Sequence, residues 1–324
     1  GLVGSEMCIR DRMKVDGVRR DLLTTLLRRC VDVKDKELAA LGWSFAYFFC
    51  LLCSYYILRP VRDEMGIQGG VENLQWLFTG TFIAMLATVP LFGWLTSRYS
   101  RAAFLPIVYG FFIINLLLFY FLFSSDIADV WIARAFFIWV SVFNLFVVSV
   151  FWSFMTDVFD NRQARRLFGF IAAGGTAGAL TGPALTAMLV KPLGPENLML
   201  ISALLLGCAI FCIRQLIQWR SSNNDPDPVT GKSADTPLGG SVLAGIRLVF
   251  QSPYLLGIAL LMMLFTTLAT FLYFQQAQII RDAFTDPSER IAVFASIDLA
   301  VNSLTVMIQL FFTGRLVRWL GLPW

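Results

Sequence analysis

Long apolar runs separated by short polar turns repeat eight times along the chain. A sliding window of about nineteen residues places them at 38–58, 74–95, 103–123, 130–155, 167–190, 198–217, 254–274 and 291–313. Each run is close to the roughly 20 residues a helix needs to cross a bilayer. A lone apolar segment in hydrocarbon can satisfy its backbone N–H and C=O groups only within itself, so all eight are predicted to be α-helices. The expected fold class is therefore all-α, a polytopic membrane helical bundle.

Composition sharpens this picture. Of the 324 residues, 57% are hydrophobic and 15% charged, with thirty Phe and nine Trp, where soluble domains carry about 25% charged residues. The chain has no His, which excludes His-ligated zinc, Ser-His and Cys-His nucleophiles and imidazole proton relays. No cofactor or metal is expected. Four of the six cysteines, Cys50, Cys53, Cys208 and Cys212, fall inside apolar runs, where a thiol acts as a small hydrophobe. The Cys50-x-x-Cys53 spacing is read as packing, because its flanks are Phe and Leu rather than a solvent-accessible helix start.

The distribution of charge sets the orientation. With the N-terminus on the cytosolic side, twenty Lys and Arg face inward and six, Arg59, Arg62, Arg134, Lys191, Arg281 and Arg290, face outward, as the positive-inside rule requires. Residues 1–12, GLVGSEMCIRDR, look like a translated sequencing-adapter artefact, and Met13 is the expected start. Residues 13–37 are basic and amphipathic, an expected cytosolic lead-in helix on the membrane surface. The polar stretch at 218–253 is expected to be a cytosolic linker ending in an amphipathic helix, between a six-helix half at 38–217 and two helices at 254–324. Within it Gly231-Lys232-Ser233 imitates the tail of a P-loop, but Pro226 stands where the first glycine belongs and no strand precedes it. No nucleic-acid partner is expected, and a monomer in a bacterial inner membrane is.

The two halves share a sequence frame. The second span ends in Gly93-Trp94-Leu95-Thr96-Ser97-Arg98-Tyr99-Ser100-Arg101 and the eighth in Gly314-Arg315-Leu316-Val317-Arg318-Trp319-Leu320-Gly321. Both place Leu two residues after Gly, then a short basic turn. This frame resembles the loop motif after the second and eighth helices of the major facilitator superfamily, with Gly93, Arg98 and Gly314 at matching positions. The resemblance implies two six-helix halves related by a parallel repeat. By that count the chain holds eight of an expected twelve transmembrane helices and is expected to be a C-terminally truncated fragment.

The strongest candidate chemistry lies where the first span meets the outer interface. A span of about twenty residues starting near Trp43 places Arg59 and Arg62 within the outer leaflet. A guanidinium there costs roughly 2.5 kcal/mol or more unless it finds a partner or a polar cavity. Helical spacing puts Tyr55, Arg59 and Asp63 on one stripe, with Arg62 one turn from Arg59. The arginine fork suits phosphate and carboxylate. The plain alternative is that both arginines snorkel to the headgroups and pair with Asp63 and Glu64.

The segment Tyr56-Ile57-Leu58-Arg59-Pro60-Val61-Arg62-Asp63 resembles the signature of the ATP/ADP translocase family of plastids and intracellular bacteria. The similarity continues through Phe151-Trp152-Ser153-Phe154 and Ala164-Arg165-Arg166-Leu167-Phe168-Gly169. The resemblance implies nucleotide exchange, with the basic residue matching Arg62 among those needed for transport. Where that family has an acidic residue in its fourth span, this chain has Val140-Ser141-Val142-Phe143-Asn144, making Asn144 a candidate contact.

Asp298 and Asn302 share a face of the eighth span, four residues apart. An ionisable group at that depth is expected to be a proton- or cation-coupling carboxylate or the partner of an arginine in the first span. The plain alternative is an interhelical hydrogen-bond pair worth about 0.6 kcal/mol. Arg134 is read as an interfacial anchor. In the fifth span Gly174, Gly178 and Gly182-Pro183 form a ladder of small residues that lets a neighbouring helix approach closely. The Gly178-x-x-x-Gly182-Pro183 portion also resembles the start of the superfamily's antiporter motif.

Together these features predict a secondary active transporter of the major facilitator type that moves a small organic anion, with nucleotides among the candidates, by alternating access. It is not expected to be an enzyme. Tyr55, Arg59, Arg62, Asn144, Asp298 and Asn302 are the expected substrate contacts. Asp63, Gly93, Arg98, Gly174, Gly178, Gly182, Pro183 and Gly314 are expected to have structural or gating roles. The competing possibility is a non-transporting membrane scaffold or lipid-interacting protein on the same frame.

Overall fold

The computed structural model describes residues 37–98, 101–125, 130–223 and 249–312, together with Arg315. The surface lead-in helix, the P-loop imitation and the frame beginning at Gly314 lie outside the described residues. Eight long helices cross the bundle: α1 Leu38–Gln68, α2 Leu74–Arg98, α3 Arg101–Ser124, α4 Val130–Val158, α5 Asn161–Leu193, α6 Pro195–Asn223, α7 Pro253–Ala283 and α8 Pro287–Met307, the last continued by a π turn, Ile308–Phe312. They alternate in direction, so the bundle has one side where α1 begins at Leu38 and another where it ends at Gln68. All eight are long and apolar enough to span a membrane.

Every predicted span is a helix, and most extend beyond the apolar windows. At the starts of α5, α7 and α8 capping chemistry in the polar flanks sets the boundary. Asp160 accepts from the backbone N–H groups of Arg162 and Gln163 at 3.0 and 2.8 Å, while Gln163 Oε1 accepts from Asp160 N at 3.0 Å, a capping box that starts α5 ahead of its apolar stretch. Ser252 and Asp286 cap α7 and α8, each followed by proline at the first helical position, where the missing N–H costs nothing. α6 likewise runs to Asn223, six residues into the stretch expected to be linker. The turn between α1 and α2 needs a glycine: Gly70 has φ +98°, a conformation that L side chains rarely adopt.

α1 is the central helix, packed against α4, α5 and α6, while α8 packs on α5 and α1. The glycine ladder of α5 makes this possible. An added Cβ at Gly174 would lie 2.6 Å from the Phe45 carbonyl oxygen, at Gly178 2.6 Å from that of Phe49, and at Gly182 2.7 Å from Tyr56 Cβ. The backbones of α1 and α5 therefore touch along three successive turns. Aromatic rings fill the remaining interior: Phe48 stacks on Phe151 at 4.1 Å, and Phe112 meets Phe143 edge-on at 4.9 Å.

Two buried polar pairs tie α1 to its neighbours. Tyr47 and Tyr109 join their hydroxyls at 2.5 Å, and Ser54 and Ser202 theirs at 2.6 Å. Tyr47→Phe is expected to destabilise the protein by about 1 kcal/mol by leaving the Tyr109 hydroxyl unpaired. The double variant Tyr47→Phe/Tyr109→Phe should recover most of that loss in thermal unfolding of the detergent-purified protein, whereas an additive loss would show that the pair is not coupled. The large side chains of α7, among them Leu261, Phe265, Leu268 and Phe271, are exposed, as are Phe82, Ile83 and Leu86 of α2, a surface suited to hydrocarbon rather than water.

Candidate functional site

The polar residues of the bundle converge where α7 and α8 meet α1, toward the Gln68 side. Pro60 sits inside α1 without ending it, so Arg59, Arg62, Asp63 and Glu64 all ride on one continuous helix. Arg59 Nη1 lies 3.2 Å from Asp298 Oδ1 on α8, and its guanidinium stands 5.8 Å from the Tyr56 ring. Arg62 bends onto its neighbour Asp63, with Nη2 and Nε 2.6 and 3.0 Å from Oδ1, and lies 5.2 Å from the Phe137 ring of α4. Tyr273 of α7 donates its hydroxyl to the same Asp63 oxygen at 2.9 Å.

One turn further along α1, Glu64 accepts from Arg290 of α8 in a bidentate pair at 2.6 and 2.7 Å and from Gln68 Nε2 at 3.0 Å. Lys191 of α5 and Glu289 of α8 form an exposed pair at 3.2 Å. An apolar layer containing Ile67, Leu74, Leu77, Phe137, Ala277, Ile280 and Phe294 closes the same end. Three cations (Arg59, Arg62, Arg290) and three carboxylates (Asp63, Glu64, Asp298) thus neutralise one another, as burial in a low-dielectric setting requires.

On the Leu38 side of the Arg59–Asp298 pair lies a cavity of about 260 Å³, bounded by Phe48, Leu52 and Tyr56 of α1, Gly175 and Ala179 of α5, and Asn302 and Gln309 of α8. Asn302 Nδ2 donates to the Ala179 carbonyl at 2.9 Å, which pins α8 to α5 at the cavity wall. The arginines of α1 therefore do not snorkel outward. Arg59 reaches across to α8, as one reading of Asp298 anticipates, and a hollow joins α1, α5 and α8.

Tyr55 is buried beside the cluster, near both Arg59 and Arg62, its ring edge-on to Tyr56 at 5.2 Å. The other candidates are dispersed. Asn144 is half-buried on α4 and takes no part in the charged cluster. Gly93 lies in an open stretch of α2, where an added Cβ would meet nothing within 4 Å, and Arg98 is the last residue of that helix. Pro183 is buried within α5. Gly314 lies outside the described residues. Arg134 donates Nε to the Gly69 carbonyl at 3.0 Å and stacks over Trp131 at 4.8 Å, so it clamps the α1–α2 turn. Sequence reasoning missed Tyr273 and the Glu64–Arg290 pair; the only signal for the latter was an acidic and a basic residue near the same interface.

Among the described residues, eight helices long and apolar enough to cross a membrane surround a polar, charge-balanced junction with a cavity beneath it, the architecture of an integral, multi-pass membrane protein. The family description Major Facilitator Superfamily matches residues 40–323. The chain belongs to that superfamily. No curated protein and no solved structure matches the chain.

Proposed function

We propose that the protein is a secondary active transporter that moves a small organic anion by alternating access, with Arg59 as the group that receives the anion. The observation that carries this reading is the Arg59–Asp298 pair, about one helical turn from Tyr56 and Asn302, which line the cavity between α1, α5 and α8. Arg59 is one-third exposed, whereas Arg62 is held by Asp63 and only 14% exposed. Arg62 then acts as the internal counter-ion that keeps Asp63 in place for Tyr273. Size favours a compact ligand: the cavity of about 260 Å³ falls just below the roughly 300–1,000 Å³ typical of small-molecule sites. Nucleotides, and exchange as the mode, are what the resemblance of the Tyr56–Asp63 segment implies. Such a ligand needs the halves to part further.

The Gln68 side is closed by ion pairs and an apolar layer, which supports an access path from the Leu38 side. The excess of Lys and Arg argues that this side is cytosolic. A ligand-stabilisation screen of the full-length protein against ADP, succinate, inorganic phosphate, glucose and a neutral amino acid tests the reading. An anion at about a hundred times its Kd should stabilise by about 2.7 kcal/mol, and Arg59→Gln should lose that shift. Stabilisation by glucose alone, or an anion shift retained in Arg59→Gln, would overturn it.

A further inference from the structure

The cavity between α1, α5 and α8 has two unlike walls. α1 contributes Phe48, Leu52 and Tyr56, a stripe at four-residue spacing that runs about 12 Å at 1.5 Å per residue. That wall is apolar apart from the Tyr56 hydroxyl, which Asn302 engages. Across from it α8 contributes Asn302, Thr305 and Gln309 and α5 contributes Thr176, flanked by the small side chains of Ala172 and Ala179. Polar side chains gathered on one stripe of an apolar helix belong on a surface that meets water or a solute rather than hydrocarbon.

The polar wall is short of donors. Thr176 gives its hydroxyl hydrogen to the Ala172 carbonyl at 3.3 Å and Thr305 gives its own to the Val301 carbonyl at 2.8 Å, so each hydroxyl oxygen is left as an acceptor only. Gln309 stands in the π turn that continues α8, a distortion that recurs at functional sites. Its amide has no hydrogen-bond partner among the described residues and offers one acceptor and two donors. A solute on this wall must bring donors to the two threonine oxygens and both donors and acceptors to Gln309. Hydroxyl groups are both at once. An ammonium would supply donors alone, and among the described residues no carboxylate lines the cavity to balance its charge.

We propose that the cavity selects a polyhydroxylated anion, of the sugar-acid or sugar-phosphate type, with Thr176, Thr305 and Gln309 reading its hydroxyls. The proposal rests on the anion reading of Arg59. The anionic group takes the guanidinium about one turn beyond Tyr56, the C–H groups of the chain or ring lie on Phe48, Leu52 and Tyr56, and the hydroxyls turn toward α8. A plain aliphatic acid satisfies the apolar wall but leaves the threonine oxygens and the Gln309 amide unpaired, and that loss is the source of discrimination. Gluconate and hexanoate isolate the effect, since each has six carbons and one carboxylate and only the first carries hydroxyls.

Calorimetric titration of the full-length protein in detergent with gluconate, glucuronate, hexanoate and glucitol tests this. At least one of the two sugar acids should bind about tenfold or more tightly than hexanoate, the gain expected of two net hydrogen bonds. Thr305→Val/Gln309→Met keeps the shape of the wall and removes both polar groups, and in it the ratio of the two affinities should fall to about one. Thr176→Val, on the other helix, should lower the ratio in part. Because both ligands are measured on the same protein, a general loss of stability leaves the ratio untouched.

Hexanoate binding to the wild type as tightly as both sugar acids overturns the proposal, and so does a ratio retained in Thr305→Val/Gln309→Met. Arg59→Gln should lose both kinds of carboxylate. Glucitol bound as tightly as gluconate, or gluconate retained in Arg59→Gln, overturns the anion reading and the proposal with it. Binding of ADP, succinate or inorganic phosphate without either sugar acid overturns the proposal alone and leaves the anion reading standing.

Discussion

Arg290→Ala is expected to lower stability by about 3–5 kcal/mol, the usual cost of leaving one member of a buried ion pair without its partner. Glu64 has no exposed surface, and Arg290 supplies two of its hydrogen bonds, at 2.6 and 2.7 Å, while also donating to the Phe284 carbonyl at 3.3 Å. Without the guanidinium, Gln68 is the remaining side-chain donor to that carboxylate. Adding Glu64→Gln should recover most of the loss, because a neutral amide tolerates the site where an orphaned carboxylate does not. The exposed Arg281–Asp282 pair provides the contrast: Arg281→Ala should change stability by less than about 1 kcal/mol. Thermal unfolding of the four proteins in detergent checks this, and equal losses for Arg290→Ala and Arg281→Ala would refute it.

Gly178→Leu is expected to cost about 3 kcal/mol or more, the upper end of what overpacking a tight interior produces. An added Cβ there would lie 2.6 Å from the Phe49 carbonyl oxygen and 2.8 Å from the Cys53 backbone nitrogen. Both are main-chain atoms of α1, so no rotamer change relieves the clash and the helices must move apart. Because α1 also carries Arg59, that movement should weaken anion-induced stabilisation as well. Gly207→Leu, on α6 where an added Cβ meets nothing within 4 Å, should leave stability within about 0.5 kcal/mol. A Gly178→Leu protein as stable as Gly207→Leu would show that the close approach is not needed.

The helices were legible because hydrocarbon imposes one rule on every residue it touches, and that rule is written locally. Their ends were less so: Asp160, Ser252 and Asp286 start helices from polar flanks that an apolar window discards. The Arg59–Asp298 pairing was legible by residue type. An arginine within the first apolar helix and an aspartate two turns into the eighth span each demanded a partner, and the structure supplies each with the other. Glu64 and Arg290 are 226 positions apart, and either could have been an ordinary interfacial charge. Tyr273 sits at the end of an apolar run, where a hydroxyl gives no warning that it will reach Asp63. Such pairings depend on how the second pair of helices docks on the first six, which no local pattern encodes.

α8 is tied to α1 by Arg290–Glu64 and Arg59–Asp298 and to α5 by Asn302, and this leaves the stretch beyond Asn302 as a lever. From Asn302 to Phe312 it is about 15 Å long at 1.5 Å per residue, so a tilt of about ten degrees around that fulcrum would swing its tip by roughly 3 Å. A rearrangement at the pivot is therefore passed on to the cavity wall at Gln309.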